Sequence, residues 1–471
     1  MPALSIGRFR LWLGMALAVG LVFRLWVAFS YPYEAGDTPL YERLARSLDD
    51  HHAYALEIDG QLVPVDVRMP GYPAFLAVSH ALFGPGFQPV RVAQALIDVL
   101  TCLLAGALAA LLAAPEERRR AVLAGTWLAA ICPFTANYTA AILAETLGGF
   151  WNAAAFVLLL YGIASLTGEA QGRRPYAALV GTGLAAGVGC YFRPETPLVL
   201  MAAAVVLVVV WWRPRDWPRL VRVGLALGLG LVLALAPWAV RNRLALGRFE
   251  VLPPPAANLP GEMAPFGFNA WTNTWLTTNQ EIYDYSFKVE DEPLEVESLP
   301  PSAYDSPEEK REVARLFAQH NEDFTLTPEL DGGFARLARE RTARNPLRTY
   351  FFVPLARVLA MWASPRLELL PYSGEVLPIR QSLEDDPRDF WVSVLLFLAD
   401  LAYIALALVG LFRARWQTGA ALLAMYVLLR SALITQMPGP EPRYVVIAFP
   451  LLAALAAQLW AERDRGRPVA S

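Results

Sequence analysis

A few charged residues stand where the chain leaves long apolar runs: Asp37, Arg68, Glu145, Arg193, Arg241 and Arg443. Charge at a bilayer boundary is costly, so each needs a reason. Asp37 follows the first apolar run in Glu-Ala-Gly-Asp-Thr-Pro-Leu-Tyr. A carboxylate there can act as general base on an acceptor hydroxyl, and Gly36 lets backbone approach a substrate closely. The same carboxylate can instead cap a helix starting at Thr38, and Glu34 and Asp66 are rival bases in the same loop. Arg68 heads Arg-Met-Pro-Gly-Tyr-Pro, a rigid turn that would fix Arg68 and Tyr72 as substrate contacts or as interfacial anchors. Glu145 is a lone acid in Ala-Ile-Leu-Ala-Glu-Thr-Leu, either a substrate-binding group or a partner for an arginine. Arg193, Arg241 and Arg443, the last followed by Tyr444, can grip phosphate oxygens in a fork. Any one of them could merely snorkel to the headgroups, but three together point to an anion site. Arg24, inside the first apolar run, is a fourth candidate or pairs within the bundle. An anionic lipid headgroup, such as a phosphate linked to a sugar, fits this set.

The elements that must hold these residues are membrane helices. The chain has 471 residues, 56% of them hydrophobic and 18% charged, too apolar for an ordinary soluble enzyme. The net charge of −3 gives no basic face for nucleic acid. A span needs about 20 apolar residues. Ten stretches qualify: 11–31, 89–113, 120–136, 140–166, 176–192, 196–212, 219–239, 391–412, 418–436 and 443–461. The loops 115–120, 168–175 (with Arg173 and Arg174), 213–222 and 413–415, the N-terminus and the tail from Arg463 are basic. The positive-inside rule then places both termini in the cytoplasm. The segment 347–363 is apolar but short and carries Arg348 and Arg357, so it reads as an amphipathic helix in the outer interface. Crossing there would invert everything that follows.

The expected architecture is therefore an all-α polytopic membrane protein with about ten transmembrane helices. Residues 1–239 form an N-terminal transmembrane module with a first outer loop at 32–88. Residues 240–390 form a mixed outer domain, and 391–471 the last helices and a cytoplasmic tail. In the first outer loop, helices are expected over 40–48 and 74–83. The acidity of 281–312 reads as a solvated surface. Trp271, Trp275, Tyr283 and Tyr285 suit either a carbohydrate-stacking platform or an ordinary folded cap. Cys102, Cys132 and Cys190 lie in apolar runs and predict no disulfide. The pair His51–His52 is a weak metal signal; no obligatory metal and no cofactor is expected.

In this order, the segments resemble bacterial GT-C glycosyltransferases of the family 39 type, relatives of protein O-mannosyltransferases and of lipid A aminoarabinose transferases. The resemblance rests on Gly-Asp-Thr-Pro-Leu-Tyr-Glu-Arg-Leu-Ala (36–45), Arg-Met-Pro-Gly-Tyr-Pro-Ala-Phe-Leu-Ala (68–77), Leu-Ala-Glu-Thr-Leu (143–147), Phe-Arg-Pro-Glu (192–195), Pro-Trp-Ala-Val-Arg-Asn (237–242) with Leu-Gly-Arg-Phe (246–249), and Arg-Tyr (443–444). It implies a GT-C fold and transfer of a sugar from a polyprenyl-phosphate carrier, with inversion, on the periplasmic or extracellular face of the plasma membrane. It further implies Asp37 as the base, with Arg193, Arg241 and Arg443 holding the lipid phosphate. The acceptor, whether protein, lipid or glycan, and the sugar stay open. Several relatives carry an Asp-Glu pair where this chain has Asp37-Thr38, so no second adjacent carboxylate is implied. The competing functions are a lipid-linked-sugar transporter or flippase and a cell-envelope scaffold. A flippase would place charge along a mid-bilayer path, whereas here it gathers at one face.

Overall fold

The computed structural model describes residues 5–461 except 170–173, 213–214, 255–262, 287–291, 323, 375, 377–378 and 438. Arg173, the tail from Arg463 and residues 287–291 of the acidic stretch therefore lie outside the described residues. In chain order the helices are α1 (Ile6–Ser30), α2 (Thr38–His51), α3 (Gly71–Phe83), α4 (Gln88–Leu112), α5 (Arg118–Ala130), α6 (Pro133–Tyr138), α7 (Glu145–Thr167), α8 (Pro175–Cys190), α9 (Leu198–Trp212) and α10 (Trp217–Ala245). They continue as α11 (Phe266–Thr272), α12 (Asn279–Glu281), α13 (Pro307–His320), α14 (Pro328–Arg344), α15 (Val353–Trp362), α16 (Ile379–Asp385), α17 (Pro387–Arg413), α18 (Gln417–Ile434), α19 (Phe449–Ala456) and α20 (Gln458–Ala461). Among the described residues the only sheet is the hairpin of β1 (Ala55–Ile58) and β2 (Gln61–Pro64).

The protein is all-α and multi-pass. Among the described residues, seven helical stretches are long and apolar enough to cross a membrane: α1, α4, α7, α10, α17, α18 and the run Pro442–Ala461. The other three expected spans are helical but shorter: α5 has 13 residues, α8 has 16 and α9 has 15. The chain divides into two compact units, one of residues 1–254, 365–429 and 446–471, the other of 255–364 and 430–445.

In the first unit, glycines let helices touch backbone to backbone. A Cβ at Gly183 of α8 would lie 2.1 Å from the Leu227 carbonyl oxygen of α10, and one at Gly230 would lie 2.0 Å from that of Val180. Small residues at such crossings are the usual route to tight packing between membrane helices. The bundle also buries charge. Arg24 of α1 is fully enclosed and donates to Asp98 at 2.7 Å and to the carbonyls of Gly20, Ala129 and Ala130. It thus pairs within the bundle and is not part of the outward anion site. Arg366 likewise donates to Asp400 of α17 at 3.1 Å and stacks on Phe134 and Phe449.

The second unit is built around aromatic rings. Phe268 and Trp271 of α11, Trp275, Phe317 of α13 and Phe334 of α14 form its core. Ser306 and Thr327 cap α13 and α14 through their side chains. Arg341 is enclosed and tied to Glu309 at 2.6 Å and Thr274 at 2.8 Å. Trp271 and Trp275 are 0% and 2% exposed, so they are core residues and offer no stacking platform. The segment 347–363 enters through a π-turn, Arg348–Phe352, and continues as α15. The π-turn and α15 form one continuous helical run over residues 346–362. Val353, Arg357 and Met361 point inward while Tyr350, Phe351, Phe352, Leu355 and Leu359 are exposed, the pattern of an amphipathic helix.

Candidate active site

Asp37 stands at the N-cap position of α2, as its sequence context allows, but makes no capping hydrogen bond. Arg68 instead donates from Nη2 to Asp37 Oδ1 at 2.6 Å. Capping is therefore not what holds this carboxylate. The loop is fixed from the other side: Tyr33 N donates to the Ala140 carbonyl and Ile142 N to the Tyr33 carbonyl, both at 3.2 Å. Thr38 Oγ1 also donates to the Ile142 carbonyl at 3.2 Å. These bonds tie the start of α2 to the segment leading into α7.

The turn that carries Arg68 is pinned twice. Tyr54 Oη donates to the Arg68 carbonyl at 2.9 Å, and Gly71 N donates to the Tyr191 carbonyl at 2.9 Å. A Cβ at position 71 would lie 2.6 Å from that carbonyl oxygen, so only glycine allows the approach. Tyr72, next in the turn, is 1% exposed and donates to Gln94 at 2.8 Å. Gln94 in turn donates to the carbonyls of Thr139 and Ala141. Tyr72 thus braces the loop from within.

Tyr191 ends α8, two residues before Arg193. Arg193 donates from Nη1 to Glu145 at 3.1 Å and from Nε to Glu195 at 2.9 Å, so one guanidinium lies between two carboxylates. Gly148, one turn into α7, makes room for it; a Cβ there would sit 2.5 Å from Arg193 Cγ. Glu145 Oε2 is buried and has no hydrogen-bond partner among the described residues. It lines a cavity of about 10 Å³ with Asp98, Thr135, Tyr138 and Thr146, room for about one water. Arg241 clamps the hairpin: Nη1 donates to the Val65 carbonyl at 2.8 Å, Nη2 donates to the Tyr54 carbonyl, and the guanidinium stacks on Tyr54 and Trp238.

Five of the six sequence segments are thus joined in one unit. The Tyr41 hydroxyl marks their common field. Burial pushes its pKa up and Asp37 adds to the rise, while Arg68 opposes it, with Glu145 and Arg193 also in electrostatic reach. The sixth segment belongs to the second unit, where Arg443 pairs with Glu441 at 2.8 Å and stacks on Tyr444. Tyr283 and Tyr444 both donate to the same Glu441.

The rival bases are placed differently. Asp66 is buried and accepts from Arg248 at 3.0 Å. It also shares a hydrogen bond with Glu250 that raises the Glu250 pKa, so Asp66 is already occupied. Glu34 is exposed, 3.6 Å from Arg91. No group of three or more His, Cys, Asp and Glu side chains gathers to hold a metal ion among the described residues.

Sequence reasoning passed over Glu195 and Glu441, although each stands beside a chosen arginine. It also missed Glu368, which accepts from Tyr138 at 2.6 Å. The hairpin went unread despite its Asp59-Gly60 turn; both residues have positive φ, 50° and 75°, as a type I′ turn demands.

Neither a protein-family model nor a curated protein matches the chain. Among solved structures it is similar to the oligosaccharyltransferase of Archaeoglobus fulgidus in the apo form, with 14% identity over 94% of this chain and 50% of that one and a TM-score of 0.49. It is also similar to the same organism's AglB in complex with an inhibitory peptide and a dolichol-phosphate, at 12% identity over 95% and 50% of the two chains and a TM-score of 0.47. A third similarity is to ArnT from Cupriavidus metallidurans bound to undecaprenyl phosphate, at 15% identity over 94% and 77% and a TM-score of 0.39. The chain spans about half the length of the archaeal oligosaccharyltransferase.

Proposed function

We propose that the chain is a GT-C type membrane glycosyltransferase, moving a sugar from a polyprenyl-phosphate carrier to an acceptor hydroxyl at the outer face of the membrane. The observation that carries this reading is the Asp37–Arg68 pair: a carboxylate freed from capping and held by a guanidinium at the mouth of an apolar bundle. Asp37 takes the proton of the acceptor hydroxyl. The acceptor oxygen attacks the anomeric carbon from the face opposite the carrier, and the carbon–oxygen bond to phosphate breaks with its electron pair on the phosphate. The sugar is transferred with inversion. The polyprenyl phosphate that departs is a good leaving group, so a placed base and one cation suffice without a metal.

Arg68 is the residue we assign to the departing phosphate. Its side chain is 26% exposed, against 14% for Arg193 and 16% for Arg443, and protonation of Asp37 loosens its ion pair as the phosphate gains charge. Arg193 and Arg241 are engaged by protein groups and act as positioning residues, while Arg443 and Tyr444 are engaged with Glu441 in the second unit. Glu145 acts through Arg193, and Tyr72 through the turn. The bilayer supplies the donor.

Asp37→Asn tests the reading. Transfer from a glycosylated polyprenyl phosphate should fall about 10²–10⁴-fold, the range of a lost general base, with donor binding retained in native mass spectrometry. A fully active Asp37→Asn protein removes Asp37 from the reaction and leaves Glu34 as the accessible one of its two rivals. A protein that binds no polyprenyl phosphate in any form removes the transferase reading itself.

A further inference from the structure

An open apolar groove of about 390 Å³ runs along α5, lined by Arg120, Leu123, Ala124, Trp127 and Ile131 and by Trp460 of α20. The α5 positions recur at helical spacing and form one stripe. From Arg120 to Ile131 that stripe is about 16 Å long. Its volume falls in the range of sites that hold small amphiphiles. The groove carries one charge, at one end. Arg118 donates to the Glu169 carbonyl and Arg119 also has a partner, but the Arg120 guanidinium has no hydrogen bond or ion pair among the described residues. A half-buried cation without a side-chain partner beside an apolar channel is complementary to an anion with a hydrocarbon tail.

The groove is separate from the site above. Thr135 and Tyr138, which border Glu145, follow the opposite end of α5. Arg120 belongs to the basic loop 115–120, which the positive-inside rule assigns to the cytoplasmic leaflet. Basic pockets between membrane helices on that side are suited to anionic lipid headgroups.

We infer that this groove binds an anionic phospholipid of the inner leaflet, its phosphate on Arg120 and one acyl chain along Leu123, Trp127 and Ile131 beneath the rim formed by Trp460. The test is native mass spectrometry of the full-length protein, stripped of lipid in detergent and given equal amounts of palmitoyl-oleoyl phosphatidylglycerol and phosphatidylcholine. The wild type should retain the glycerol lipid about fivefold over the choline lipid, the ratio expected of one arginine near an anionic headgroup. Arg120→Gln should bring the ratio to one and Arg120→Lys should restore it. Ala124→Trp, which fills the channel and leaves the cation, should remove the retained lipid and decides the matter if Arg120→Gln does not fold. Equal retention of both lipids by the wild type overturns the proposal, as does a preference that survives Arg120→Gln. Displacement of the glycerol lipid by an equal amount of polyprenyl phosphate also overturns it, and would assign the groove to the carrier.

Discussion

Arg193 holds one positive charge between two acids, Glu145 and Glu195. Loss of Glu145 leaves a neutral pair, Arg193 with Glu195, and forfeits a charged hydrogen bond. Loss of Arg193 leaves two carboxylates side by side, one of them only 2% exposed. The two substitutions should therefore differ. Glu145→Gln should lower the unfolding free energy by about 1–3 kcal/mol, and Arg193→Met by about 3–5 kcal/mol, the usual effect of stranding a buried charge. Denaturant unfolding in a fixed detergent measures both, and an equal or reversed order would mean that Glu195 does not share the arginine. At this scale the sequence shows residue types well and partners poorly. Asp37 and Arg68 each stand out as boundary charges, yet 31 residues separate them and no local pattern announces their pairing. The partners that escaped notice, Glu195 and Glu441, are acids adjacent to prolines, where they read as loop surface.

The elements around the site work by close approach. The 68–73 turn reaches Tyr191 only because Gly71 has no side chain, and the hairpin β1–β2 stays over α10 through Arg241. Gly71→Ala should force the turn away from the end of α8 by a few tenths of an ångström or more. We expect a stability loss of about 1–3 kcal/mol, the range of an overpacked contact. The transfer rate should fall further than stability alone explains, since Arg68 moves with the turn. A Gly71→Ala protein with unchanged stability but full activity would detach the turn from the site. Helices α2 and α3 were legible because Thr-Pro and Pro-Gly-Tyr-Pro punctuate their starts, and they run a few residues beyond the expected 40–48 and 74–83. The hairpin was equally legible from Asp59-Gly60 between Ile58 and Val63, but apolar runs on this scale compete with a much stronger membrane signal. The burial of Trp271 and Trp275 had no local signal, because an aromatic cluster has the same composition whether it faces a ligand or a core.

For the whole molecule, sidedness follows from the basic loops and from the parity of crossings between them. Parity turns on residues 347–363. A crossing there would put the loop 413–415 on the same side as the hairpin, whereas an amphipathic helix lying in the interface, with Arg357 and Met361 turned inward and Leu355 and Leu359 exposed, keeps them on opposite sides. The native cysteines do not obscure a labelling test, since Cys102, Cys132 and Cys190 are all buried. Single cysteines introduced at Asp59, Glu116, Glu308 and Arg415 would each sit at an exposed position. In intact cells an impermeant maleimide should label the Asp59 and Glu308 variants and spare those at Glu116 and Arg415 until the membrane is opened. Labelling of the Arg415 variant from outside, with Glu116 still protected, would establish an additional crossing between Glu308 and Arg415. Protection of the Asp59 variant would be more serious: it would put Asp37 and Arg68 on the cytoplasmic side, where an outward-facing transfer from a lipid-linked donor could not use them.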